Sequence, residues 1–278
     1  MLRLAAGVDP AAPNVARVLI VLKYGGNAMA AQDDDPLLDD VAARVRAGDG
    51  VVVVHGGGPQ IDVALRERRI ETARVEGLRI TDARTLAVTE SVLCGTVNKA
   101  LVRALARRGV GAAGISGQDG SLLVARPAAP VAGVSLGFVG EIEEVRPHVL
   151  QALLGAGMVP VVAPMGVSRD AVTALNVNAD TAAGAIAGEL RADAFIIVTN
   201  VDRVRRVPDD AATGLRRLTA FEARAHLADG TFDGGMRPKM LSALDALARG
   251  AHRVLIGGSG PSALSRVLAG EGTTVVND

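Results

Sequence analysis

The chain has 278 residues, 49% hydrophobic and 22% charged, and its thirty Lys and Arg residues balance thirty Asp and Glu. That length holds one large α/β domain or two smaller ones with a sizeable core, and the ordinary composition argues against disorder. A formal net charge of zero supplies no global field for nucleic acid or an anionic membrane, and no apolar run approaches the ~20 residues of a membrane span.

Residues 1–17, with Asp9 and two prolines, lack the apolar core of a secretory signal, so a cytoplasmic protein is expected. Val18 to Leu22 reads as a buried strand that ends in Lys23-Tyr24-Gly25-Gly26. A lysine there is costly unless an anion meets it or its stem carries the charge to solvent. Pro36 to Ala47 places Leu37, Leu38, Val41 and Val45 at helical spacing. Val51 to Val54 is strongly β-branched and reads as a central strand of a parallel sheet, followed by His55-Gly56-Gly57-Gly58-Pro59. The three glycines bare the backbone, and Pro59 suits the first helical position. The corner is therefore either a tight turn or an oxyanion site made of N–H groups and a helix dipole. Two bare corners at successive strand ends can share one pocket, because ligands of open α/β sheets lie beyond the carboxyl ends of the strands.

Ile70 to Ile80 reads as a hairpin around Glu76-Gly77 that sets Arg79 near a strand end. Thr81 or Asp82 caps a long helix running to about Arg108, in which Cys94 reads as a small buried hydrophobe and Asn98-Lys99 interrupt the apolar pattern. A lone cysteine excludes an intrachain disulfide, and His55, His148, His226 and His252 are too scattered for a zinc site, so no structural metal is expected. Strands follow at Val110 to Ser116, Ser121 to Arg126 and Phe138 to Val145, then a helix opened by Pro147 and a core strand over Met158 to Ala163. This alternation points to an α/β fold with a parallel-centred sheet.

Ala179 to Leu190 is an alanine-rich helix whose small residues permit close packing, with Asp180 in the first turn, where a carboxylate suits the dipole. Ala194 to Thr199 is a strand, and Arg203 to Arg217 reads as a solvated loop. Asp233-Gly234-Gly235 is a third glycine corner opening a helix to about Arg249, and Lys239 near its start opposes the dipole unless an anion shares the spot. A strand from Arg253, a helix from Pro261 and a strand over Thr273 to Val276 complete the chain. The expected boundary falls at Asn178 to Ala179, dividing residues 1–178 from 179–278.

Two lysines, three glycine corners and no histidine cluster suit phosphoryl transfer, in which an enzyme mainly positions the partners and neutralises charge. A carboxylate acceptor is already ionised at neutral pH and needs no general base. Lys23-Tyr24-Gly25-Gly26-Asn27-Ala28-Met29, His55-Gly56-Gly57-Gly58-Pro59-Gln60, Gly77-Leu78-Arg79-Ile80-Thr81-Asp82, Asn176-Val177-Asn178-Ala179-Asp180-Thr181 and Gly234-Gly235-Met236 with Pro238-Lys239 resemble, in order, the motif series of the acetylglutamate kinases of the amino acid kinase family. That resemblance implies a three-layer α/β sandwich with a central, mainly parallel sheet between helices, an amino-terminal acceptor half and a carboxy-terminal nucleotide half. It implies ATP with Mg2+, phosphorylation of the γ-carboxylate of N-acetyl-L-glutamate early in arginine biosynthesis, and a homo-oligomer, dimer or hexamer. By the same resemblance Lys23 and Lys239 are the transition-state lysines and Asp180 organises them. Gly57, Gly58, Arg79, Asn176 and Asn178 would serve the acceptor, and Gly25, Gly26 and Thr199, with both lysines, the ATP phosphates. The chain departs from the family pattern at Thr199-Asn200-Val201-Asp202-Arg203-Val204. A related kinase acting on carrier-linked aminoadipate and a non-catalytic amino-acid sensor are the alternatives.

Overall fold

The computed structural model describes residues 18–25 and 35–278. Its first half contains β1 (Leu19–Tyr24), α1 (Pro36–Arg46), β2 (Gly50–His55), α2 (Gly58–Glu67), β3 (Arg74–Val75), β4 (Leu78–Arg79), α3 (Ala83–Glu90), a π-helical turn (Ser91–Val97), α4 (Asn98–Arg107), β5 (Ala112–Ser116), β6 (Leu123–Pro127) and β7 (Val139–Val145). Then follow α5 (His148–Gly155), β8 (Val159–Ala163), β9 (Met165–Val167), β10 (Ala174–Val177), α6 (Ala179–Glu189), β11 (Ala194–Thr199), β12 (Arg217–Thr219), α7 (Ala220–Ala228), α8 (Met236–Arg249), β13 (Val254–Gly258), α9 (Ala263–Leu268) and β14 (Thr273–Val276).

Eight strands form one sheet in the order β12-β14-β13-β11-β1-β2-β8-β5. Every pairing is parallel except that of β13 with β14. The central strands are buried on both faces, and this is why they read as unbroken apolar runs. Alternation along β1 sends Val21 into a core shared with α5, α6, α7 and α8, and Ile20 and Leu22 into one shared with α1, α2, α4 and α9. Sheet and helices thus form the expected three layers, and the sheet runs on without a break from β1 into β11, across the Asn178 position in sequence. The strands β10, β7, β6 and β9 close into a small barrel.

The small residues of α6 have a direct structural consequence. A Cβ at Gly184 would lie 2.6 Å from Ser242 Oγ, and one at Gly188 would lie 2.3 Å from Arg249 Cβ, so only glycine allows α8 to pack this closely. The Ser242 hydroxyl also donates to the Asp180 carbonyl, joining the start of α6 to the middle of α8.

Two segments depart from the sequence reading. Arg203 to Arg217 is largely loop, but β12 begins at Arg217, and α7 follows with a reciprocal cap between Thr219 and Glu222. The Thr-x-x-Glu spacing signals that helix start. The strands β9 and β10, of three and four residues, are too short for periodicity to announce and exist through pairing with β6 and β7. Gly26, with Asn27 to Met29, and the amino-terminal residues 1–17 lie outside the described residues.

Candidate active site

A cleft of about 610 Å³ opens beyond the carboxyl ends of β1, β2 and β11. Lys23, on β1 between Val54 of β2 and Ile197 of β11, is only 7% exposed. Its ammonium lies 3.0 Å from the Asp180 carboxylate, which is equally buried. Asp180 enters from the first turn of α6, whose cap is Asn178: the Asn178 Oδ1 accepts from the N–H groups of Asp180 and Thr181 at 2.8 and 3.1 Å. Asn178 therefore lines the cleft with its carbonyl end already committed to the helix.

Lys239 reaches the same cleft from α8, carried there by the close α6–α8 packing, and its Nζ donates to the Gly235 carbonyl at 2.9 Å. That bond gives the ammonium an acceptor at a helix start whose dipole opposes it. Burial holds the Lys239 pKa below the usual lysine value, the neighbouring Lys23 charge adds to the fall, and Asp180 opposes it. One carboxylate thus serves two ammonium groups.

The floor is the glycine corner. Gly57 is the N-cap of α2 and supplies no side-chain cap, so the first N–H groups of that helix face the cleft without one. At Gly58 an added Cβ would meet nothing within 4 Å, so its backbone borders open space. Gly25 lies on the opposite wall, where an added Cβ would come within 3.3 Å of Lys23 Nζ. Thr199, at the end of β11, lines the same wall beside Asn200 and Ser259.

At the other end stand Arg79 and Asn176. Arg79 is buried, and its Nη2 pairs with Asp62 at 2.6 Å. Its Nη1 is also buried and has no hydrogen-bond partner among the described residues. Asp62 holds Arg74 as well, at 2.7 Å, and although burial works against its charge, the two arginines keep its carboxyl below the usual range. Asn176 donates from Nδ2 to Thr81 Oγ1 at 3.2 Å. A guanidinium with one edge tied back and the other unpaired is suited to a carboxylate.

All of the expected site residues except Gly26, which lies outside the described residues, thus meet in one cleft, with two lysines beside a helix start that no side chain caps. The sequence profile of the amino acid kinase family matches residues 18–258. The chain belongs to that family. It is 42% identical over 267 residues to an acetylglutamate kinase of Symbiobacterium thermophilum, a match covering 92% of this chain and 91% of that protein. It is also 42% identical over 247 residues to an acetylglutamate kinase of Gluconobacter oxydans, covering 85% and 82%. Among solved structures it is similar to the N-acetylglutamate synthase of Neisseria gonorrhoeae in complex with coenzyme A and N-acetyl-glutamate, with a TM-score of 0.80 and 25% identity. That match covers 94% of this chain and 60% of the synthase.

Two supports of the cleft in this amino acid kinase carry little signal in the sequence. Asp62 orients Arg79 from one turn into α2, and nothing in its spacing singles it out. Asn98 is fully buried in the long helix, where a polar residue within an apolar pattern signals an internal hydrogen bond; its Nδ2 makes such bonds, while its Oδ1 has no partner among the described residues. Cys94 sits in the π turn half-buried, and burial, reinforced by Glu90 and Asp119, pushes its thiol up to about 11, which leaves it protonated at neutral pH.

Proposed function

We propose that this protein is an acetylglutamate kinase, transferring the γ-phosphoryl group of ATP to the γ-carboxylate of N-acetyl-L-glutamate as an early step of arginine biosynthesis. The observation that carries this reading is the Lys23–Asp180 pair with Lys239 beside it, above the bare start of α2. Relatives of that name at 42% identity over most of the chain support it. In the reaction a carboxylate oxygen bonds to phosphorus as the bond to the β-phosphate oxygen breaks, and ADP departs. Negative charge must be neutralised on the equatorial oxygens and the two flanking ones, and Lys23 and Lys239 supply it from separate elements. Asp180 keeps both ammonium groups in place. The N–H groups at Gly57 and Gly58 receive the transferred group, while Arg79 and Asn176 hold the acceptor, Arg79 through its unpaired edge to the α-carboxylate.

In this reading residues 1–178 form an acceptor half that also lends Lys23 and Gly25 to the ATP phosphates, and 179–278, with Thr199 and Lys239, a nucleotide half. Asp180 is engaged by Lys23, and among the described residues no three carboxylate, histidine or cysteine side chains cluster to cage a cation. Magnesium belongs in this reading to the nucleotide, where it neutralises phosphate oxygens. A homo-oligomer is part of the proposal, to be checked by analytical ultracentrifugation. No helix among the described residues is long and apolar enough to cross a membrane. The functional test is a coupled ADP-release assay with free acetylglutamate and, in parallel, carrier-linked aminoadipate. Turnover on the carrier-linked substrate alone would overturn the assignment.

A further inference from the structure

Behind the glycine corner lies a buried polar pair that the chemistry above does not use. His55 ends β2 and Asn98 opens α4, and both are fully buried. His55 Nδ1 lies 2.8 Å from the Gly56 carbonyl oxygen, and its Nε2 lies 3.1 Å from Asn98 Nδ2. A carbonyl only accepts and an amide nitrogen only donates, so the ring carries its proton on Nδ1 and offers a lone pair at Nε2. The same Asn98 nitrogen, whose two protons are shared among three acceptors, also faces the carbonyls of Val161 at 2.8 Å and Ile115 at 3.2 Å. A flipped amide would set its oxygen against both carbonyls, so the strands β8 and β5 fix which way the amide points. Burial, aided by the Lys99 charge, pushes the imidazole down to about 4 and keeps it neutral.

The π turn completes the clamp. Its wider winding carries Leu93 and Val97 onto Gly57, where an added Cβ would lie 2.7 and 3.5 Å from their methyl groups. The Gly56 N–H is held by the Tyr24 carbonyl at 2.9 Å. A peptide unit is planar and trans, so fixing the Gly56 oxygen also fixes the direction of the Gly57 N–H on its opposite edge.

We propose that Asn98 and His55 are positioning residues: the chain of hydrogen bonds from Asn98 through His55 to the Gly56 carbonyl aims the Gly57 N–H at the transferred phosphoryl group. The proposal rests on the phosphoryl-transfer reading of this cleft. A pre-aimed donor acts on charge that develops in the transition state more than on ground-state binding, so its loss lowers kcat and largely spares KM.

The test uses His55→Asn, which keeps a donor near the Gly56 oxygen but loses the reach to Asn98. It adds His55→Gln, which reaches Asn98 but withdraws the donor from Gly56, and Asn98→Leu, which removes the amide at similar volume. Each is expected to lower kcat about 10- to 100-fold, with both KM values within roughly threefold of wild type. The His55→Asn/Asn98→Leu double variant should be no slower than the slower single one, because the two groups act in series. Should Asn98→Leu fail to fold, the two His55 variants carry the kinetic comparison. Independently of any acceptor, ring nitrogen NMR should find Nδ1 protonated and Nε2 bare, and amide exchange at Gly57 should quicken in the variants. Folded His55 variants with full kcat, multiplicative losses in the double variant, or a proton on Nε2 would overturn the relay. If wild type ignores acetylglutamate while ring tautomer and Gly57 exchange behave as stated, the substrate assignment falls and the relay stands.

Discussion

Replacing Asp180 with Asn removes the charge that Lys23 meets at 3.0 Å, where the two side chains are only 9% and 10% exposed. At that distance and an effective dielectric near 20, two unit charges attract by about 5–6 kcal/mol, an upper bound because burying both ions costs several kcal/mol. Stranding one buried partner typically costs about 3–5 kcal/mol. Asn leaves a carbonyl oxygen beside the ammonium, so the low end, about 3 kcal/mol, is expected, or about 6–12 °C in Tm for a chain of this size. With no tryptophan and one tyrosine, urea and thermal unfolding are best followed by far-UV circular dichroism. Activity should fall further than stability. Burial and the Lys23 charge both push the Lys239 pKa down, and Asp180 is what opposes them, so its loss also removes the charge that favours the second ammonium. A fall in kcat of about 100-fold or more follows. The deciding control is Asp180→Asn in a Lys23→Met background, where only the half-buried Lys239 still faces the lost charge and the stability loss should be clearly smaller. An equal loss in both backgrounds would refute the ion pair as its source, and with it the idea that Asp180 organises the lysines.

Lys239→Met should lose kcat by orders of magnitude yet be at least as stable as wild type at pH 7, since it removes a half-buried cation beside Lys23 at a helix start. The folded pKa of Lys239 lies below its ordinary 10.5, so the unfolded chain binds more protons and wild-type stability rises with pH between the lowered value and 10.5. Lys239→Met should lack that rise in urea midpoints, and a variant less stable at pH 7 contradicts the reasoning. Arg79→Ala should raise KM for acetylglutamate about 10- to 100-fold through lost charged hydrogen bonds while KM for ATP hardly moves, and Arg79→Lys should not restore it; equal effects on both substrates would remove Arg79 from the acceptor end. Gly57→Ala should cost about 1–3 kcal/mol by driving a methyl into Leu93, 2.7 Å from the added Cβ. Gly58→Ala meets nothing within 4 Å and should keep its Tm while obstructing the cleft; matched Tm losses in the two variants would show that the π turn does not press on the corner.

Period and composition alone identify the strands that carry the cleft, because strands buried on both faces read as apolar runs, as β1 does from Leu19 to Leu22 and β2 from Val51 to Val54. The glycine corners and Pro59 also declare a strand-to-helix turn locally, and the lysines stand out because an ammonium is costly there unless an anion meets it or its stem reaches solvent. The resemblance in motif order then attaches roles to Arg79, Asn176 and Asp180. What local sequence could not express is convergence. That Lys239 meets Lys23 depends on α8 closing against Gly184 and Gly188, a contact between helices distant in sequence. That Asp62 restrains Arg79, and that Asn98 reaches His55 together with two other strands, depends on where the sheet and the π turn bring their hydrogen-bonding groups. Side-chain hydrogen bonds and ion pairs act over a few ångströms of space, and only the packed fold sets those distances.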